Sequence, residues 1–414
     1  MHTVMKTSAL ALAVVFALAA CEQETMVAPE ASAAADRSPA AQMAGSLADS
    51  HHGFNGPAFD IEATPNGNIL VAAGTVQEIG RGGIKEVTGI PTAPGSPING
   101  LAVLGQRSFF ATSGGLDLAV GAGLWRASQG SARLVADIED WTMGDWDHDD
   151  GGFHGNDLAD AGPYPSTWKD FRCEEFAEFS YGPQTNPYHL TALSGSQVLI
   201  GDAANNGVLH ATTTGDIDWV AFMEPPLDPD TGEWMVLGYT DEDGAIAGIG
   251  EAADGAVECY VEPVPTSVAV GPDGSYYVGE LTGTTPGNFF RQASPAGLAR
   301  VWRIAPGSRN VVCPSDDCEV VFDGLDTVID IEFGPDGLLY VVEYERSGFL
   351  GTVAPGLGIP PAGGTLKRCD LSNQSCQIVE DDLVLPGAVT FDKWDNLWLL
   401  ENVFEPTVRK VDWQ

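Results

Sequence analysis

Apolar residues along this chain come in short clusters of four to six, each followed by a turn rich in Gly, Asn or Asp and then by a second apolar run that ends on a polar or small residue. This is the pattern of a β-hairpin with buried strands, and the runs are too short and too often interrupted for amphipathic helices. Six copies can be quoted: Ala58-Phe-Asp-Ile-Glu-Ala to Ala73, Ile98-Asn-Gly-Leu-Ala-Val to Ser113, Pro187-Tyr-His-Leu-Thr-Ala to Asp202, Pro265-Thr-Ser-Val-Ala-Val to Glu280, Val328-Ile-Asp-Ile-Glu-Phe to Glu343, and Pro386-Gly-Ala-Val-Thr-Phe to Glu401. Each spans the same fifteen steps. A third and fourth strand follow several copies, as in Leu124-Trp-Arg-Ala with Ala132-Arg-Leu-Val, and Arg300-Val-Trp-Arg-Ile with Glu319-Val-Val-Phe. A single four-stranded sheet cannot bury both of its faces, whereas six set radially each pack on two neighbours. The pattern therefore predicts an all-β protein, a six-bladed β-propeller of four-stranded antiparallel blades over 51–414. The last copy is followed by one strand only, Thr407 to Trp413, so a strand from around Leu47 to Phe54 is expected to complete that blade. The longest intervals between copies place acidic loop insertions at 137–185 and 224–262.

Composition supports this reading. Gly (50) and Pro (27) punctuate the 414 residues too densely for long helices. The 58 acidic residues against 19 basic ones leave a formal charge of −39, which excludes nucleic acid as a partner and, apart from a lipid anchor, a membrane surface. At the amino terminus, a weakly basic start through Lys6 and an apolar run from Ser8 to Ala20 read as an export signal over 1–20. The run ends Leu18-Ala19-Ala20-Cys21, which resembles a bacterial lipobox, with Cys21 as the lipidated residue of a lipoprotein on an outer or cell-surface membrane. Residues 21–50, rich in Ala, Ser, Glu and Pro, read as a tether. Six further cysteines suit an oxidising, extracytoplasmic compartment. Cys313 with Cys318 and Cys369 with Cys376 are close enough to staple their own hairpins, which leaves Cys173 with Cys259. No cysteine–histidine spacing fits zinc.

The block Val264-Pro-Thr-Ser-Val-Ala-Val-Gly-Pro-Asp-Gly-Ser-Tyr-Tyr-Val-Gly-Glu-Leu-Thr-Gly283, followed by Val301-Trp-Arg-Ile-Ala-Pro-Gly307, resembles the ScyD/ScyE family of exported, NHL-like propellers. Asn55-Gly-Pro57, Asn186-Pro-Tyr188 and Ile329-Asp-Ile-Glu-Phe-Gly-Pro-Asp-Gly337 extend the resemblance from about residue 51 to the end. It implies fold and export, and no particular reaction.

In each hairpin the start of the first strand and the end of the second lie at the same rim. The final-strand positions there read Ala73, Ser113, Asp202, Glu280, Glu343 and Glu401. If the four carboxylates point to the axis, they require a cation, protonation or hydrogen-bond donors, and a divalent metal is one expectation. Polar residues at the opposing strand starts, Asn99, His189, Thr266 and Asp330, are candidates for contacting a ligand. His189 is also the candidate general base of the alternative reading, a divalent-metal-dependent hydrolase, lyase or isomerase similar to the gluconolactonase-type propellers. Pro97-Ile-Asn-Gly-Leu101 resembles a ligand strand of that type, but Asn55-Gly-Pro57 stands where it carries Glu-Gly-Pro. In the first insertion, Asp145, Asp147 and Asp149 alternate before Gly151, the spacing by which a looped backbone wraps calcium. Trp141, Trp146, Phe153, Tyr164 and Trp168 surround that loop and are available to stack on sugars or on each other. No phosphate-binding loop is present, so no nucleotide cofactor is expected. The resulting expectation is a monomeric binding protein for a cation, a cationic or sugar-like small molecule, or a protein partner.

Overall fold

The computed structural model describes residues 47–92, 96–114, 121–128, 130–143, 185–228, 230–240, 246–248, 258–283, 296–348 and 361–413. The six copies form six antiparallel blades. After an isolated strand β1 (Ser50–His52), blade one comprises β2 (Asp60–Ala63), β3 (Ile69–Ala72), β4 (Val76–Gly80) and β5 (Gly83–Thr88). Blade two comprises β6 (Ile98–Gly105), β7 (Ser108–Ser113), β8 (Gly123–Ser128) and β9 (Ser131–Asp137), and a short helix, Ile138–Met143, follows it. Blade three is β10 (Pro187–Ser194), β11 (Gln197–Asp202), β12 (Gly207–Thr212) and β13 (Ile217–Met223). The second insertion supplies a separate three-stranded sheet of β14 (Val236–Thr240), β15 (Ile246–Gly248) and β16 (Glu258–Tyr260).

Blade four is β17 (Glu262–Val270), β18 (Tyr276–Gly283), β19 (Ala299–Ile304) and β21 (Cys318–Leu325). Between its last two strands, β20 (Val311–Cys313) pairs in parallel with β13 and adds a fifth strand to blade three. Blade five is β22 (Val328–Phe333), β23 (Leu339–Glu343), β24 (Gly364–Asp370) and β25 (Ser375–Leu383), and blade six begins with β26 (Ala388–Phe391), β27 (Leu397–Glu401) and β28 (Thr407–Val411). β1 closes the ring as the outer strand of blade six, with Ser50 opposite Arg409 and His52 opposite Thr407. The chain thus joins its ends without a covalent bond, within the segment expected from the sequence.

The innermost strands touch in succession, β2 to β6, β10, β17, β22, β26 and back to β2. Second strands such as Ile69-Leu-Val-Ala72 and Leu397-Trp-Leu-Leu400 are almost wholly buried because both of their faces meet a neighbouring blade. Outer strands alternate or face water, as β25 does. The apolar clusters sit between blades: Tyr277, Val301 and Phe322 of blade four pack with Ile331, Leu339 and Val341 of blade five. Disulfides join Cys313 to Cys318 and Cys369 to Cys376, the two local pairs expected. The first closes the segment after β20; the second ties β24 to β25 across one register pair. Cys21 and Cys173 lie outside the described residues, and with Cys173 goes the expected pairing to Cys259.

Close approach of the inner strands demands glycine at Gly100. A Cβ there would sit 2.5 Å from the Tyr188 carbonyl oxygen and 2.9 Å from the His189 Cα, both backbone atoms that cannot swing away. Gly100→Ala is expected to lower unfolding free energy by about 3 kcal/mol in urea denaturation, since blades two and three must separate to admit the methyl group. A change smaller than about 0.5 kcal/mol would contradict this packing.

Candidate functional site at the propeller axis

The site is built from the inner strands. In β6, β10, β17 and β22 the register with the second strand slips by one residue near the start, for example Val328 opposite Glu343 and then Asp330 opposite Val342. Such bulges re-aim side chains. The third position of each copy reads Asp60, Gly100, His189, Ser267, Asp330 and Ala388. Three of these carry opposite charges and meet at the axis. His189 is 3% exposed, Asp60 5% and Asp330 6%.

Their bonds reach every blade. The His189 Nε2–H donates to the Phe59 carbonyl of blade one at 2.9 Å, and Nδ1 lies 3.0 Å from Asp330 Oδ1 of blade five. Asp330 Oδ1 also accepts the Ser267 hydroxyl of blade four at 2.8 Å, and Oδ2 accepts the Val389 N–H of blade six at 2.9 Å. Ser267 Oγ in turn accepts the Ile331 N–H at 3.0 Å. Asp60 accepts its neighbour Ile61 N–H at 2.7 Å and the Leu101 N–H of blade two at 2.6 Å. Burial alone would lower the His189 pKa, but the charges of Asp60 and Asp330, with the hydrogen bonds to Asp330 and Phe59, push it up to about 9. The ring is therefore an imidazolium at neutral pH, with both nitrogens donating. Burial drives Asp60 up to about 7, with His189 opposing and Asp330 adding to the rise.

A second tier lies two residues further along the inner strands, where the row reads Glu62, Ala102, Thr191, Ala269, Glu332 and Thr390. Glu62 and Glu332 are part-exposed. Glu332 is raised to about 8 by burial and then by Asp330 and Asp60, and Glu62 is raised by burial and then by Glu332 across the axis. Thr390 accepts the Ala63 N–H at 3.2 Å, which ties blade six to blade one. On the other side of the hub the Tyr188 ring stacks on His189, with centroids 4.6 Å apart and planes 19° apart. Tyr188 belongs to one apolar cluster with Phe59, Leu281, Ile329 and Tyr344.

The four rim carboxylates form no shared cluster among the described residues. Each is held in its own neighbourhood. Asp202 accepts Thr185 Oγ1, the Asn186 N–H at 2.8 Å and Asn205 Nδ2 at 2.9 Å; burial raises its pKa, and these three partners oppose the rise. Glu280 takes both Nε and Nη2 of Arg300 at 3.0 Å and the Trp302 indole N–H. Burial raises Glu280, with Arg300 the main opposing influence. Glu343 binds Lys367 Nζ at 2.7 Å, the Asp326 N–H at 2.8 Å and the Thr365 hydroxyl. Glu401 binds Arg409 Nε at 2.8 Å. Among the described residues no group of three His, Cys, Asp or Glu side chains is arranged to hold a metal ion.

The four ligand candidates divide. His189 and Asp330 come together; Asn99 and Thr266 do not join them. Asn99 Nδ2 donates to Gly114 O and Pro187 O at 2.9 Å, and the Thr266 hydroxyl donates to Val328 O at 2.8 Å, so both tie neighbouring blades. Both ring nitrogens of His189 are engaged, Nδ1 with Asp330 and Nε2 with the Phe59 carbonyl. Asp60 and Ser267 escaped the sequence reading, although aligning the third position of the six copies reveals them beside His189 and Asp330. Asp145, Asp147 and Asp149 lie outside the described residues, as do Trp146, Phe153, Tyr164 and Trp168. Trp141 packs on Trp219, centroids 5.4 Å apart.

No protein-family model matches the sequence, and comparison with curated proteins finds no match. Among solved structures, a protein of unknown function from Bacteroides thetaiotaomicron aligns with TM-score 0.48 and 9% identity over 89% of this chain and 73% of that one. Virginiamycin B lyase from Staphylococcus aureus aligns at 0.44 and 12% identity over 88% and 98% of the two chains. The PQQ-bound aldose sugar dehydrogenase of Streptomyces coelicolor aligns at 0.45 and 11% over 87% and 95%. These likenesses carry no argument about activity; the blades themselves establish the fold.

The hub makes stability depend on pH with a definite sign. With both folded pKa values raised, the stability tied to His189 is complete below its ordinary 6.5 and lost as pH rises through about 9, and that tied to Asp60 is complete below its ordinary 3.8 and lost as pH rises through about 7. The unfolding free energy is thus expected to decline between about pH 4 and pH 9. His189→Gln leaves Asp60 and Asp330 buried without their counter-charge and is expected to cost about 3–5 kcal/mol at pH 7. Much of that loss should return at pH 5, where Asp60, raised to about 7 in the fold, is protonated. Denaturant titrations at both pH values check this, and an equal loss at each would contradict an ionic hub.

Proposed function

We propose that this protein is an exported, lipid-anchored binding propeller of the ScyD/ScyE type, which takes its ligand on the rim where the inner strands begin. One observation carries the reading: the long connections 138–186, 224–261, 284–298 and 344–363 all join strand ends at that rim, whereas the hairpins at the opposite rim are tight except for the disulfide-closed segment carrying β20. Propellers of this design keep a fixed frame and place variation in loops on one face. Export is supported by the apolar amino terminus ending at Cys21 and by the disulfides, and no helix among the described residues is long and apolar enough to cross a membrane.

The binding reading is preferred over the metal-dependent enzyme because His189 is bonded through both nitrogens and the rim carboxylates are each neutralised or hydrogen-bonded locally. The proposed ligand of the first insertion is calcium, held through Asp145, Asp147 and Asp149. Calcium is expected to raise the melting temperature of the whole protein by several degrees, on the order of 1–3 kcal/mol at saturating ion, and the increase should disappear in Asp147→Ala. Absence of a shift in the parent protein, or an unchanged shift in the variant, overturns the calcium assignment.

A further inference from the structure

The seam at which the ring closes is thin, and it carries groups that respond to acid. β1 has three residues and, among the described residues, pairs with β28 alone. Few bonds hold it: the Lys410 N–H donates to the Asp49 carbonyl at 2.9 Å, Lys410 Nζ pairs with the Asp49 carboxylate at 3.1 Å, and His52 Nδ1 lies 3.2 Å from the Thr407 hydroxyl. Leu47 before the strand and Phe54 after it add apolar contact. Two consecutive histidines occupy the strand itself. The His51 ring stands 6.0 Å from the ring of Trp398, and Lys410 Nζ stands 5.2 Å from that same ring. A neutral His51 suits this place, because its Nε2–H donates to the Ala48 carbonyl at 3.1 Å and no second proton is called for. A protonated one brings a second cation beside Lys410, over an indole that is fully buried. The carboxylates in reach are already engaged: Asp49 with Lys410, and Glu380 and Glu401 with Arg409, which stands opposite Ser50. Burial lowers the His51 pKa; the Ala48 carbonyl and Asp49 oppose this, and His52 and Lys410 add to it. The formal charge of −39 favours protonation from a distance, but exposed charges further off than about 8 Å are largely screened at physiological ionic strength.

From this seam we propose that β1 is an acid-released latch, which seals blade six while His51 is neutral and leaves β28 when His51 is protonated beside Lys410, with His52 adding to the repulsion. A folded pKa held below the ordinary 6.5 gives stability that is complete above 6.5 and is lost as pH falls through the folded value. The sign is opposite to that of the hub, so acid opens the seam while it tightens the axis. The rest of the ring therefore stays folded. What acid uncovers is the outer edge of β28, a row of backbone donors and acceptors that another strand can pair with. The latch is independent of which rim takes a ligand.

The test follows amide hydrogen exchange in the whole protein at about pH 7.5 and about pH 5, expressed as protection relative to the intrinsic rate at each pH. Two places are compared: the Lys410 amide, which β1 covers, and β23, which is paired on both sides within blade five. Protection at Lys410 is expected to fall about tenfold at the lower pH, while protection in β23 is unchanged or higher. In His51→Gln, whose amide can still donate to the Ala48 carbonyl, Lys410 protection should stay within about twofold across the same range. Lys410→Met, which keeps the backbone amide and removes the neighbouring charge, should shrink the fall. Equal protection of the Lys410 amide at both pH values overturns the proposal. So does a fall shared by β23, or one that persists in full in His51→Gln. If His51→Gln loosens β1 at both pH values, Lys410→Met decides, and an undiminished fall in that variant overturns the latch.

Discussion

The fold depends on one buried ion pair and its hydrogen bonds. Six sheets arranged around an axis leave a central space that apolar side chains of ordinary size do not fill evenly, and the inner strands carry polar backbone there that must be satisfied. In this chain the need is met by an imidazolium between two carboxylates. His189 reaches blades one and five, Asp330 reaches four and six, and Asp60 reaches two. A buried ion pair is a weak source of net stability, because desolvation offsets the attraction. Its value here is registry: each bond forms only when a particular pair of blades stands at the correct rotation, so the network favours the six-fold ring over a slipped or incomplete one.

The two rims then differ in kind. At the closed rim, turns such as Gly271–Ser275 and Gly334–Leu338 are fixed by aspartates that accept backbone N–H bonds and pair with arginines of the third strand, Asp273 with Arg303 and Asp336 with Arg368. The same device recurs at Asp392, which accepts from Asn396 and the Trp398 indole. At the other rim the carboxylates brace short loops, and the long segments join there. Rigid turns on one side and extended connections on the other are what a scaffold needs in order to hold a recognition surface still while its sequence varies.

Much of this was legible in the sequence. The sixteen-residue copies predict the blade number, and the lone strand after the sixth copy predicts closure by the amino-terminal segment. The two local cysteine pairs follow from spacing. The site was harder to read for a specific physical reason. Side-chain direction along a strand follows a two-residue alternation, and a bulge in four inner strands breaks that alternation near the axis. Asn99 and Thr266, one position from the hub, therefore looked equivalent to His189 and Asp330, whereas they tie blades together. The rim carboxylates misled for a different reason: Arg300, Lys367 and Arg409, which neutralise three of them, lie eight to twenty-four residues later in the chain, and nothing local in the sequence announces the pairing.

The closing strand has a consequence for how the molecule is made. Ser50 pairs with Arg409, so the first of the described strands to be synthesised has no partner until the last of them follows it. Blades one to five can assemble in order of synthesis, but the ring stays open, with its axial charges incompletely neighboured, until β28 has been made. Any interruption of synthesis near the end yields an unsealed arc, and the amino-terminal strand itself becomes the free edge through which two such arcs would pair with each other.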